Sequence, residues 1–205
     1  MMDNLDHLLD AASPLLAQVD HVLSTIGAPE GHPVWQELRR VRLLPGDAAR
    51  AVGALDPEAI LEAVPELRAD ADAYAAVADA LPLPGAWEGE AAEAYEVKRH
   101  HTAAHLSGGP DSLGHRVRAT ADLAGELAAW MARSRGDLAA ILAATLISAE
   151  AVTLTTSSPA HLSPIEEARL AADLAAPLLR TVADGYDRGE FLIDEAAALQ
   201  TTVIP

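Results

Sequence analysis

Apolar residues recur three or four positions apart along most of the chain, which is the spacing of one face of a helix. The first such pattern runs from Leu5 to Ile26 and predicts a helix that Pro14 bends. A shorter pattern begins near Pro33 and is expected to end at the Leu-Pro-Gly-Asp sequence of residues 44–47. The side chains predicted to lie inside on this second helix are Val34, Trp35, Leu38 and Val41.

The middle of the chain predicts two helices joined by a turn. Asp56, Pro57 and Glu58 supply a cap, a first-turn proline and an acid that offsets the helix dipole. The apolar pattern then continues toward a proline-rich turn, and Pro65 is expected to split this helix because an interior proline removes a hydrogen bond. After the turn a further helix is predicted to end at Leu106.

The next pattern predicts a single long helix. Its apolar stripe extends from about Ser112 to Thr155, a length on the order of 65 Å at the rise of an α-helix. The Gly-Gly-Pro sequence of residues 108–110 separates it from the preceding helix, and whether the chain reverses there or only bends stays open.

The last helices have the clearest local signals. Ser163 and Glu166 form a capping box with a proline at the first helical position. The helix is expected to kink at Pro177 and to end at Gly185, a residue type that favours the left-handed cap. A short terminal helix is predicted at residues 191–199.

Composition supports an all-α fold. Half of the residues are hydrophobic, only 3% are aromatic, and alanine, a strong helix former that is depleted in strands, carries much of the total. We therefore predict an elongated helical bundle that contains a helix-turn-helix hairpin. It would form a single helical domain over 1–205, with N-terminal helices in 1–55, the hairpin in 56–106, and the long helix, return helix and tail in 107–205.

The charge of the chain and the motifs that it lacks argue against several classes of function. A net charge of -17 argues against binding to nucleic acid and to anionic membranes, which both select Lys and Arg. The chain has no Cys, no uninterrupted apolar stretch long enough to span a bilayer, and no N-terminal pattern of a Sec signal peptide. It also lacks a nucleophile elbow, a phosphate loop and a dinucleotide fingerprint. We therefore expect no cofactor and no catalytic residues.

The turn between the two central helices contains Trp87-Glu88-Gly89. Glycine there allows a backbone conformation or a close helix approach that a side chain would forbid. Trp87 is expected to anchor the turn by burying on the order of 200 Å². With the alanine-rich helix start that follows, this segment resembles the helix, Trp-x-Gly turn and helix of the WxG proteins exported by type VII (ESX) secretion systems of actinobacteria.

The resemblance implies a second signal and a set of partners. WxG proteins carry Tyr-x-x-x-Asp/Glu just beyond a helix end, and Tyr186 with Glu190 matches that pattern after the predicted end at Gly185. It implies a non-enzymatic substrate or secretion-associated partner that binds a helical partner, or itself, and the secretion machinery. Such a protein is cytoplasmic before export and then secreted or at the cell surface without a cleaved Sec signal peptide.

Two alternatives stay open. His100, His101 and His105 lie at helical spacing with a nearby carboxylate, Glu96, as in a metal-dependent enzyme built on a helical bundle. Against this, the His-Glu-x-x-His order is missing and two cations, at positions 98 and 99, crowd the segment. The other alternative is a helical targeting module of a toxin or scaffold, since similar modules are fused to effector domains.

Overall fold

The computed structural model describes residues 4–156 and 162–201, with side chains up to Ala197. The prediction of an all-α bundle is confirmed, because the described residues form helices and turns and contain no strand. The helices are α1 Asn4–Thr25, α2 Val34–Val41, α3 Pro45–Gly53, α4 Pro57–Asp79, α5 Glu90–Ser107, α6 Leu113–Leu146, α7 Ala149–Thr156 and α8 Pro164–Thr201.

Two predicted helix starts are confirmed in atomic detail. The Asp56 carboxylate accepts a hydrogen bond from Ala59 N at 3.1 Å at the start of α4. At the start of α8, Ser163 N donates to Glu166 Oε2 at 3.0 Å and Glu166 N donates to Ser163 Oγ at 3.3 Å, the reciprocal pair of a capping box. The hydroxyl and the amide of Ser163 both lower the pKa of the Glu166 carboxyl.

The N-terminal helices differ from the prediction at residues 44–47. These residues do not merely end α2; they begin α3, with Pro45 in its first turn. The Asp20 carboxylate of α1 accepts the Gly46 amide at 3.0 Å, and so caps α3 from another helix. Trp35, predicted to be inside, is exposed instead, and its indole donates to Pro29 O at 3.1 Å.

The predicted long helix over residues 112–155 is wrong. α6 ends at Leu146 and α7 follows at an angle of 60°. The break has a local cause, since the Ser148 hydroxyl accepts the Ala151 amide at 3.1 Å and acts as a new N-terminal cap. None of the described helices is by itself long and apolar enough to cross a membrane, although the bent pair of α6 and α7 meets that length and composition together.

The predicted split at Pro65 and the predicted end at Gly185 are wrong. α4 continues through Pro65, and α8 continues through Gly185 to Thr201. The separate terminal helix predicted at residues 191–199 is therefore the last part of α8. Gly185 is buried inside this helix.

The described chain packs into two compact units made of separate pieces of sequence. The first combines residues up to Leu55 with Trp130–Glu190, and the second combines Asp56–Ala129 with residues from Phe191 onward. The boundary predicted between residues 55 and 56 coincides with a boundary between units. The segment 107–205, however, is divided between them. The prediction of a single helical domain stays a prediction.

The first unit has a large aliphatic core. Its innermost large side chains include Val19, Val22, Val34, Leu138, Leu142, Leu154, Leu178 and Leu179, and two fully buried alanines of α3, Ala48 and Ala49, pack with them. The Arg135 guanidinium of α6 links α3 and α1 at the edge of this core. It donates to the carbonyl oxygens of Gly53, the last residue of α3, and of Leu55, and to Asp6 of α1 at 3.1 Å.

The second unit contains α4, α5 and the first half of α6. Arg118 pairs with Asp72 at 2.6 Å and Arg68 with Asp122 at 3.4 Å, so α6 runs antiparallel to α4. Its buried residues are mostly small: Val64, Ala71, Ala78, Ala92, Ala121, Leu123 and Ala128 lie inside. The core of this unit therefore contains smaller side chains than that of the first.

α5 also runs antiparallel to α4. The hydroxyl of Tyr95, near the start of α5, donates to Pro82 O at 2.7 Å, just past the end of α4. Gly114 lies close to both Leu106 of α5 and Ala71 of α4, because a Cβ on this glycine would be 3.2 Å from Leu106 O and 3.3 Å from Ala71 O. The end of α5 thus lies beside the middle of α4. Since α5 and α6 run in the same direction along α4, the chain bends at residues 108–110 and does not reverse there.

Candidate functional site

The Trp-x-Gly turn lies in the second unit, in the connection between α4 and α5. Gly89 is the residue that caps α5, with φ +91° and ψ -176°, a conformation that residues with a Cβ rarely adopt. Its carbonyl accepts the amides of Ala92 at 2.9 Å and Glu93 at 3.2 Å. A Cβ at this position would meet nothing within 4 Å. Glycine is therefore required by the backbone conformation and not by a close helix approach.

Trp87 is held in place without being buried. Its amide donates to Pro84 O at 3.2 Å, and its ring meets the Tyr95 ring edge to face, with centroids 5.8 Å apart and an interplanar angle of 85°. The side chain nevertheless remains 63% exposed. The expectation that Trp87 anchors the turn by burial is wrong, because one aromatic contact covers part of the indole and leaves the remainder to solvent.

The surroundings of Trp87 are apolar and acidic. Leu83, in the same connection, is 72% exposed. Four acids flank these two residues, and between positions 78 and 94 the sequence has no Lys or Arg. In the part of the chain that the structure describes, none of the four forms an ion pair; they are Asp79, Glu88, Glu90 and Glu93.

Tyr186 and Glu190 lie in the first unit, inside α8. The prediction that they follow a helix end is wrong, because α8 continues for more than two turns beyond them. They are one helical turn apart and both are exposed, so they share an outer face of α8. Since Trp87 and Gly89 belong to the second unit, the two motifs do not lie in one packing unit.

The Trp130 ring of α6 packs against α8 next to Tyr186. Its indole donates to Gly185 O at 2.7 Å, and a Cβ on Gly189 would lie 2.7 Å from two carbon atoms of the indole. Gly189 thus leaves room for the ring, whereas Gly185 contributes its carbonyl oxygen. The glycine of the Tyr186-x-x-Gly189-Glu190 sequence has a structural role that the sequence pattern did not reveal.

The histidine cluster does not form a metal site. The Glu96 carboxylate is engaged by Arg99, with N–O distances of 2.5 and 2.8 Å, and this pairing lowers the pKa of Glu96. His100 Nε2 lies 3.5 Å from the same carboxylate, while His101 and His105 are exposed. Among the described residues, no three His, Asp or Glu side chains are arranged to hold a metal ion. The metal-dependent alternative therefore has no assembled ligand set.

One charged cluster was missed by the sequence analysis. Glu37 of α2 is only 3% exposed, and its carboxylate accepts from Arg40 at 2.7 Å and from Arg180 of α8 at 3.2 Å. Arg40 also donates to Asp184 and Asp187, at 2.8 and 2.7 Å. Only Glu37 and Arg40, three positions apart on one helix, gave a local signal. The partners on α8 are more than 140 positions away, which no pattern along the chain can indicate.

No family model matches the chain, and neither a curated protein nor a solved structure matches it. The interpretation of the turn therefore depends on the residues and the geometry described above.

Proposed function

We propose that this protein is a non-enzymatic helical protein of the WxG type, a substrate or secretion-associated partner of a type VII (ESX) secretion system. It acts by helix–helix recognition of a helical partner and of the secretion machinery. It is cytoplasmic before export and is then secreted or at the cell surface. Trp87 and Gly89 form the recognised turn, and Tyr186 with Glu190 forms the secretion signal.

The exposed Trp87 on a glycine-fixed turn is the observation that carries this proposal. A tryptophan that served only to stabilise the hairpin would be expected in its core, yet this ring is largely in solvent. Its exposed part, roughly two-thirds of about 200 Å², represents about 3 kcal/mol if a partner covers it. Because Gly89 and Tyr95 already hold the turn in one conformation, binding costs little conformational entropy.

The face of α8 with Tyr186 and Glu190 gives weaker support. Both side chains are exposed and one turn apart, so a partner can read them together from the side of a helix. The helix-end setting of such signals is missing, and for this reason the two motifs are tested separately.

Export by a host with a type VII system tests the proposal. We expect Trp87→Ala to abolish accumulation in the culture filtrate while the protein still accumulates, folded, in the cell, and Tyr186→Ala to do the same. Trp35→Ala is the matched control, since Trp35 is the other exposed tryptophan of the described chain and lies in the first unit. A host deleted for the secretion ATPase defines the background. Normal export of both the Trp87 and the Tyr186 variants would contradict the proposal.

A further inference from the structure

The turn presents two exposed apolar side chains in a segment rich in acidic residues. We call Leu83, Trp87 and the four flanking acids at positions 79, 88, 90 and 93 the hinge patch. The Tyr95 hydroxyl donates to Pro82 O and the Tyr95 ring contacts Trp87, so Leu83 and Trp87 are held at the same end of the hairpin. Both apolar side chains are more than 60% exposed.

The charge of the hinge patch is not explained by helix stability alone. Glu90 and Glu93 lie in the first turn of α5, where acids offset the helix dipole. Glu88 directly precedes Gly89, the cap of α5, and lies near the same end of that dipole. Asp79 is the last residue of α4, where the dipole disfavours an acid, and it forms no ion pair in the described part of the chain. Helix stability therefore does not account for Asp79.

We infer that the hinge patch docks a partner helix whose apolar side is flanked by Lys or Arg. Trp87 and Leu83 would enter the apolar side of that helix, and the four acids would pair with its cations. A second copy of this chain fits poorly, because the same patch would bring like charges together and because the chain as a whole has a net charge of -17. The inference rests on the proposed function and specifies the chemistry of its partner.

Two synthetic amphipathic peptides test this chemistry on the full chain. One is built of leucine and lysine and the other of leucine and glutamate, with leucine at the same positions. Fluorescence anisotropy of each labelled peptide is measured during titration with the protein. We expect saturable binding of the leucine–lysine peptide, weakened when salt is raised from about 50 to about 500 mM, and no binding of the leucine–glutamate peptide.

Variants separate docking at the hinge patch from general attraction to an acidic protein. Trp87→Ala is expected to weaken binding of the leucine–lysine peptide about tenfold or more, as loss of a central aromatic anchor does. The triple variant Glu88→Gln, Glu90→Gln, Glu93→Gln is expected to weaken it similarly. Circular dichroism checks that each variant keeps its helix content.

The control removes the same charge elsewhere on the second unit. Glu62, Glu66 and Asp70 are exposed acids of α4 outside the hinge patch, and none of them forms an ion pair in the described part of the chain. Glu62→Gln, Glu66→Gln, Asp70→Asn is expected to change binding less than about threefold. Equal losses in the two triple variants, binding of both peptides, or unchanged binding by Trp87→Ala would overturn the inference.

Self-association and export give independent outcomes. A dimer in sedimentation experiments that is lost in Trp87→Ala would overturn the inference in favour of a second copy. Peptide binding at the hinge patch with normal export of the Trp87 and Tyr186 variants would support the inference and overturn the proposed function. Loss of export in Trp87→Ala without any binding of the leucine–lysine peptide would do the opposite.

Discussion

Replacing Gly189 by alanine tests the packing of Trp130 against α8. A Cβ at this position would lie 2.7 Å from Cε2 and Cζ2 of the indole, whereas carbon atoms in contact are normally about 3.5 Å apart or more. The ring would have to move by roughly 0.8 Å. It cannot do so freely, because its Nε1 donates to Gly185 O at 2.7 Å, one turn earlier on the same helix.

The expected cost follows from three effects. Overpacking of this kind costs about 1–3 kcal/mol, and loss or distortion of the indole hydrogen bond adds about 1 kcal/mol. Alanine in place of glycine inside a helix returns about 1 kcal/mol. We therefore expect Gly189→Ala to lower the free energy of unfolding by about 1–3 kcal/mol, which for a chain of this size is a fall of about 2–4 °C in Tm for each kcal/mol.

Urea unfolding followed by far-UV circular dichroism measures this change, and Gly136→Ala is the matched control. Gly136 is an exposed glycine inside α6 of the same unit, and a Cβ there would meet nothing within 4 Å. The control has the helix-propensity gain without the clash, so we expect it to raise stability by up to about 1 kcal/mol. If Gly189→Ala were as stable as Gly136→Ala, the packing explanation for this glycine would be refuted.

Two further predictions concern residues that join α3 to its neighbours. Burial raises the pKa of the Asp20 carboxyl, and this effect is larger than the lowering by the hydrogen bond from Gly46 N. The contribution of Asp20 to stability is therefore fully present below the pKa of the unfolded state, and it is lost as pH rises through the pKa of the folded state. Asp20→Asn keeps an acceptor for the Gly46 amide but does not titrate. The urea midpoint of the variant, measured relative to wild type, should therefore rise as pH is raised from about 4 to about 7; a difference that stays constant with pH would contradict this. Arg135→Met removes the donor to the carbonyl oxygens of Gly53 and Leu55 and should cost about 3 kcal/mol in urea unfolding. A loss below about 1 kcal/mol would show that water replaces the guanidinium there.

Much of the fold could be predicted because helix starts depend on residues close in sequence. The predicted caps at Asp56 and Ser163 are confirmed, since each needs only a carboxylate or hydroxyl three positions from an unpaired amide. The predicted turn at Gly89 also depends only on neighbouring residues and is present. The missed α3 is different, because the carboxylate that caps it belongs to Asp20 on another helix.

In the candidate site, too, local features could be predicted from the sequence and features that depend on packing could not. The sequence located Trp87, but its exposure depends on how much of the ring Tyr95 covers, eight positions later. The sequence also located Tyr186, but it assigned the preceding glycine to a helix end. No local pattern distinguishes a glycine that ends a helix from one that is buried inside a helix.

The sequence alone was enough to predict an all-helical chain, most of its helix starts and the glycine-fixed turn at Trp87. Each of these follows from hydrogen bonds and backbone preferences within one or two helical turns. Only the packed structure reveals that Trp130 lies against Gly189 and donates to Gly185 O, 55 positions away, and that Arg135 donates to the end of α3. These contacts form only when distant helices pack, and their energies depend on burial that is fixed by the whole unit and not by neighbours in sequence.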